Sequence, residues 1–246
     1  MTESNHGLTR RDVFRLGAAA GPGALLAACG WDGGSALGPG LRLFSRVNDW
    51  VGERIFLGRR RLAPEYPVSA RTEPANFPAY SITHNETGRF PAVARPEAWA
   101  LEVGGLVRKP LRLTRSMLEA LPAVSYTVKH HCVEGWTAIA TWTGVPVSAV
   151  LAMVEPLPTA RYLRFDSFDS KYSNGWDLTS AAHPQTILAY ARNDQPLPRT
   201  RGAPLRLYSP VKLGYKLTKY LRAMTLTAER HGGYWEDQGY PWLGGV

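Results

Sequence analysis

The run Lys129-His130-His131-Cys132-Val133-Glu134-Gly135-Trp136 is the part of this 246-residue chain best equipped for chemistry. It sets a thiol among two imidazoles, an ammonium and a carboxylate. Val124 to Lys129 alternates as a strand, so Cys132 stands where a strand runs out into a loop and can face a pocket. Lys129, His130 and His131 make an electropositive neighbourhood, which predicts a lowered thiol pKa. Several roles are open to such a cysteine. It can be a small core residue. It can be a nucleophile, which needs a histidine within hydrogen-bond reach. The adjacent His131 folds back poorly, so His183 is the candidate partner. Zinc would require more cysteines or paired histidines, and the chain has only Cys29 and Cys132. Covalent haem would require C-x-x-C-H, which is absent.

A further role is the single protein ligand of a molybdenum ion. Such a metal arrives with dithiolene sulfurs from its pterin and needs one soft anionic donor more. The blocks around Cys132 carry a resemblance in this direction. Cys132 to Trp136 is followed by Trp142-Thr143-Gly144-Val145-Pro146. Then come Leu188-Ala189-Tyr190 with Pro196-Leu197-Pro198, Arg201 to Leu207, Lys212 to Lys219, and Gly233 to Glu236 with Gly239-Tyr240. In this order they resemble the sulfite oxidase superfamily of molybdopterin-dependent oxidoreductases. The match is nearest the compact bacterial periplasmic branch of methionine sulfoxide reductase catalytic subunits, and it spans Tyr80 to the C-terminus.

The resemblance implies a molybdenum–molybdopterin cofactor with Cys132 as metal ligand. It places cofactor contacts at Arg201, Arg206, Lys216, Leu217, Thr218 and Lys219, where cations would meet the pterin phosphate. Arg201 departs from relatives that carry a neutral side chain. His84 and Asn85, in the loop 81–86, and Ser167 are further expected contacts. Tyr172 lies where relatives place a tyrosine near the substrate. The implied reaction is two-electron oxygen-atom transfer on a small-molecule substrate, read here as S-oxide reduction. Sulfite dehydrogenase-type oxidation and a non-catalytic lipoprotein on the same fold are the alternatives. The resemblance further implies electrons from a separate membrane haem protein or cytochrome. The short stretch after Glu236 leaves no room for a dimerisation domain, so a monomer is expected.

The elements that must position these residues are short. Strands are expected at 98–103, 111–113, 124–129, 161–165, 205–208 and 221–226. Helices are expected at 114–121, with Thr114 as N-cap, at 147–153 and at 183–192. Short strands among short helices, with no regular βαβ spacing, predict an α+β fold with a mixed sheet. The chain has 24 Gly and 19 Pro, which argues against a helical bundle.

Residues 1–28 read as an address. Thr9-Arg10-Arg11-Asp12-Val13-Phe14-Arg15 before an apolar stretch resembles a twin-arginine export signal, a route that carries folded, cofactor-loaded proteins. Leu26-Ala27-Ala28-Cys29 resembles a lipobox, so a lipid on Cys29 would tether the protein to a membrane face in the periplasm. Residues 29–79 read as tether and extended arm, with an amphipathic helix within 41–58, and residues 80–246 as the oxidoreductase domain. The formal charge of +9 asks for an anionic partner. No basic–aromatic interleaving of the nucleic-acid-binding kind is present, so no nucleic acid is expected.

Overall fold

The computed structural model describes residues 61–73, 76–93, 98–169 and 171–246, together with Val47 and Val51. The export signal, Cys29 and the Gly-rich tether lie outside the described residues. Of the helix read over 41–58, only Val47 and Val51 are described, both helical. The chain divides into two units, 1–47 and 48–246, and everything below belongs to the second.

In chain order the elements begin with α1 (Ile82–Thr87), β1 (Ala100–Gly105), β2 (Leu111–Thr114), α2 (Arg115–Glu119) and β3 (Val124–His131). There follow β4 (Thr137–Pro146), α3 (Val147–Val154), β5 (Tyr162–Ser167), β6 (Ser173–Asp177) and α4 (Leu178–Ala181). The last are β7 (Ile187–Arg192), β8 (Gln195–Pro196), β9 (Arg206–Tyr208) and β10 (Leu221–Thr227). One sheet runs β2-β1-β10-β5-β6, with β1 and β10 parallel and the rest antiparallel. The other runs β3-β4-β7-β8, and β9 also pairs with β7. Leu101, Val128, Trp142, Leu163, Phe165, Leu188 and Leu207, drawn from both sheets, are fully buried in one core cluster. The mixed first sheet and the short helices are the α+β arrangement that the pattern of elements predicts.

Several local predictions are met for the reasons given. The Thr114 hydroxyl accepts from the Met117 N–H and caps α2. Helix α3 starts after Pro146, which lacks the N–H an interior position would need. The region 183–192 is a correction. It is not a helix; His183 sits in a turn and β7 begins at Ile187. Ile187, Leu188 and Ala189 are all fully buried, so side chains on both faces of β7 lie in the core. A strand covered on both faces loses its alternation, and the apolar run then resembles a helix.

The arm is part of the fold. Tyr66 donates to the Thr127 carbonyl at 2.8 Å and Thr72 to the Ile139 carbonyl at 2.8 Å. Phe77 is 4% exposed and belongs to the core cluster. Gly144 marks a register shift between β4 and β7, where the strands approach so closely that a Cβ would meet the Leu188 carbonyl. Gly144→Ala should therefore cost about 1–3 kcal/mol by overpacking. Chemical denaturation would show it as a lowered midpoint with unchanged slope.

Candidate active site

Cys132 opens the turn between β3 and β4. Its N–H donates to the Trp136 carbonyl at 3.0 Å, which extends the ladder by one rung. The Gly135 N–H closes the turn on the Cys132 carbonyl at 3.1 Å. Gly135 has φ +87° with open space where a Cβ would lie, so glycine is needed there for its backbone freedom. The half-buried thiol lies 3.5 Å from Glu134 Oε2, and the same oxygen accepts from Trp136 Nε1 at 2.8 Å.

A cleft of about 270 Å³ opens on this turn. Of the residues expected from sequence, Cys132, Ser167, Tyr172, Arg201, Arg206, Leu217 and Lys219 line it. They reach it from separate elements. Ser167 ends β5, and its hydroxyl donates to the Lys219 carbonyl at 2.7 Å. Arg206 begins β9, and its guanidinium donates to the carbonyls of Arg201 at 3.1 Å and Leu217 at 3.3 Å. It also lies 4.8 Å from the Trp142 ring centre. Lys219 Nζ donates to the Tyr80 carbonyl, and Arg201 Nη1 to the Pro78 carbonyl at 2.7 Å. Tyr172 is held by the Tyr215 carbonyl, to which its hydroxyl donates. Burial first, then the Glu236 charge, keep that phenol above its ordinary pKa and so protonated as a donor.

Other expected contacts lie elsewhere. The segment read as a loop at 81–86 is mostly helix α1. Ser81 caps it by accepting from the His84 N–H at 3.2 Å. Asn85 is exposed, and the His84 ring stacks on Phe90 at 4.0 Å. Neither lines the cleft; Phe77 and Tyr80, just before α1, do. Lys216 is fully buried away from the cleft, paired with Glu236 and donating to the Gly175 carbonyl at 2.8 Å. Thr218 is also fully buried and does not line the cleft.

The thiol's electrostatics differ from the sequence expectation. Burial, with a smaller contribution from the Glu134 charge, pushes the Cys132 thiol above its ordinary pKa. The three upstream neighbours supply no compensating charge. Lys129 turns to the Tyr66 ring, with its Nζ 5.2 Å from the ring centre. Burial lowers His131 and takes His130 to about 3, so both are neutral at ordinary pH. A Cys132–His183 dyad does not form. His183 lines a second cavity with His131 and Arg61, and its Nδ1 accepts from the Gln185 N–H at 3.1 Å.

The cleft's cations are strained by burial. Lys219 is lowered to about 7, by burial first and then by Arg206, and Arg206 to about 10, by burial first. Lys216 is lowered to about 8, again by burial first. An unfolded chain with lysines near 10.4 binds more protons than the folded one between these values. Stability of the cofactor-free protein should therefore rise with pH from about 7 to about 10. Melting temperatures at pH 7, 8 and 9 would check this; a steady fall over that range contradicts it.

Sequence reasoning missed several lining residues. His130, Asp169, Tyr215, Trp235 and Tyr240 all face the cleft. Trp235 and Tyr240 lie 5.0 Å apart between ring centres, and nothing local in sequence separates an aromatic wall from core. Asp169 is 4% exposed, and its carboxylate accepts from the Ile82 and Thr83 N–H groups at 3.1 and 2.9 Å. That positions α1 and the segment that leads into the cleft.

Comparison with known proteins bears on what this cleft holds. Residues 87–235 match the oxidoreductase molybdopterin binding domain. The chain belongs to that family. A protein of Azospira oryzae, provisionally named a protein-methionine-sulfoxide reductase subunit YedZ1, is 39% identical over 236 residues, covering 96% of this chain and 87% of that protein. The protein-methionine-sulfoxide reductase catalytic subunit MsrP of Ralstonia nicotianae is 30% identical over 168 residues, 62% of this chain and 51% of that protein. The sulfane dehydrogenase SoxCD of Paracoccus pantotrophus matches in fold, with TM-score 0.53 at 22% identity over 56% of this chain and 40% of that one. The molybdopterin-binding domain here thus has the sulfite-oxidase-type α+β fold read from sequence, and the protein is a molybdenum–molybdopterin oxidoreductase.

The residues present fit that cofactor. A metal that brings dithiolene ligands of its own needs one soft anionic donor more. Cys132 offers one soft donor. Arg201, Arg206 and Lys219 line the same cleft, where a phosphate would restore their depressed basicity.

Proposed function

We propose that this molybdopterin-binding protein reduces an S-oxide, with Cys132 as the protein ligand of molybdenum. The observation that carries the reading is a single cleft lined by the thiol, by buried Arg206 and by half-buried Lys219. When bound, the cofactor supplies two-electron transfer of an oxygen atom. Reduction of an S-oxide consumes two electrons and two protons and releases a thioether and water.

The chain's own residues would divide the work. Cys132 anchors the metal, and Arg201, Arg206 and Lys219 hold the pterin phosphate. Ser167 fixes the Lys219 backbone, and Leu217 lines the cofactor side of the cleft. Tyr172, kept protonated and anchored on the Tyr215 carbonyl, lines the substrate end. Phe77, Tyr80, Trp136, Trp235 and Tyr240 give the cleft apolar walls, and thioether-like groups pack well on aromatic rings. Those walls suit a neutral sulfoxide. The names of both curated relatives point the same way.

The reading extends to the cell. The protein would be exported folded by the twin-arginine route, tethered through a lipid on Cys29, and active as a periplasmic monomer. A separate membrane haem protein or cytochrome would supply electrons, in keeping with relatives named as subunits. No helix among the described residues is long and apolar enough to cross a membrane.

The test is a substrate panel on purified protein whose metal content is known. About one molybdenum per chain and viologen-driven reduction of methionine sulfoxide are expected. Ferricyanide-linked oxidation of sulfite, without sulfoxide reduction, would reverse the assigned direction. Absence of molybdenum would leave a binding lipoprotein.

A further inference from the structure

Arg192 ends β7 and plays no part in the reading above. It is 7% exposed, yet its Nε and Nη2 have no hydrogen-bond partner. No other buried guanidinium among the described residues is left this way. Nε and Nη2 form one edge of the guanidinium plane, the edge that takes two oxygens of a phosphate or carboxylate side by side. The ring of Phe77 covers Arg192 at 4.3 Å and also meets Arg201 at 4.9 Å. Arg192 lies 5.7 Å from the Trp142 ring, whose other cation is Arg206 at 4.8 Å.

The neighbours repeat the deficit. His130 Nδ1 is buried without a partner, and its ring lies 5.3 Å from Phe77 and 6.1 Å from Tyr208. The Tyr208 hydroxyl is buried without a partner as well. Burial first and Arg201 second lower Arg192 to about 10, and no carboxylate offsets them. Buried donors left unsatisfied cost free energy, and a buried guanidinium whose charge is unmatched costs more. A multivalent acceptor with no protons to donate would relieve all of this at once.

We propose that Arg192, with the Tyr208 hydroxyl and His130 Nδ1, holds a phosphate-type oxyanion beneath Phe77, beside Arg201 and Arg206. The expected source is the terminal phosphate of the pterin; the same chemistry would take a free oxyanion. The first source rests on the molybdopterin reading, and the second does not. Phe77 then serves as the roof of the anion pocket, which explains why this residue of the arm is buried.

Arg192→Met keeps the length and apolar stem of the side chain and removes charge and fork; Arg192→Lys keeps charge alone. The readouts are pterin and molybdenum retained per chain after purification, and melting temperature without cofactor in a titration of inorganic phosphate. At least tenfold lower retention in both variants is expected. The cofactor-free Arg192→Met protein should also melt about 3 °C higher than the parent, because a buried unmatched charge is gone. Unchanged retention with loss of the phosphate-induced stabilisation in Arg192→Met assigns the pocket to a free oxyanion. Unchanged retention and an unchanged phosphate response overturn the proposal. If the parent protein itself carries no pterin, the phosphate titration alone decides, so failure of the cofactor reading is told apart from failure of this one.

Discussion

Cys132→Ala should abolish turnover while leaving the protein folded and close to its normal melting temperature. The two halves of this expectation come from different observations. The thiol is half-buried at a turn whose closure uses backbone groups: Cys132 N–H to Trp136 and Gly135 N–H to the Cys132 carbonyl. Removing Sγ leaves both bonds in place. It takes away the long thiol–carboxylate interaction with Glu134, and that carboxylate keeps the Trp136 indole. A stability change within about 1 kcal/mol follows, a few degrees at most for a domain of this size. Catalysis is a different matter, because no second cysteine is present among the described residues to replace the ligand. Activity should fall below detection, and the visible absorption of a thiolate-ligated molybdenum should disappear. Cys132→Ser offers a harder oxygen donor, so it should retain some metal with altered spectra and little turnover. Full activity in Cys132→Ala would remove the thiolate from the mechanism.

How far the sequence reached can be judged from particular residues. Strands with one exposed face were legible, because alternation survives there; β3 and β10 fall close to their expected spans. β7 was not, since burial on both faces erases the period. β4 was missed for a related reason. Thr137 to Pro146 mixes threonines, tryptophan and glycine without clear alternation, and its long antiparallel pairings with β3 and β7 make it a strand. Propensity was overridden by register.

The site divides in the same way. That Cys132, Arg201, Arg206 and Lys219 meet at one cleft was legible because the blocks that carry them are ordered and specific. The thiol's electrostatics were not. Sequence adjacency placed Lys129 and His131 beside Cys132, but successive strand residues face opposite sides. Positive charge reaches the cleft instead from Arg206 and Lys219, more than seventy positions on by sequence. Lys216 shows the converse. It sits inside the matching block and resembles a phosphate ligand, yet its ammonium is committed to Glu236 and the Gly175 carbonyl.

Arg206→Ala and Lys219→Met should separate two roles that charge alone makes look alike. Both cations line the cleft and both are held below their ordinary basicity by burial. Arg206 is also a cross-link. It ties β9 to the Arg201 and Leu217 carbonyls and covers the Trp142 ring. Truncating it leaves buried carbonyls without donors and opens a cavity against Trp142, while also relieving charge repulsion among Arg192, Arg201 and Arg206. Unsatisfied buried acceptors cost about 1–3 kcal/mol each, and the missing packing adds to this, so the penalty should outweigh the relief. A net destabilisation of about 3 kcal/mol, seen as a melting point lower by roughly 6–12 °C, is expected along with loss of cofactor. Among the described residues the Lys219 ammonium donates to the Tyr80 carbonyl alone, where the arm meets the domain. Lys219→Met should shift the melting point by no more than about 3 °C, because the broken bond and the relieved buried charge offset one another. Its cofactor content should nevertheless fall at least tenfold, since the phosphate would lose a charge-assisted partner. Equal melting temperatures for the two variants would show that Arg206 is not the cross-link its hydrogen bonds describe. Full cofactor retention in Lys219→Met would take the lysine out of the phosphate site.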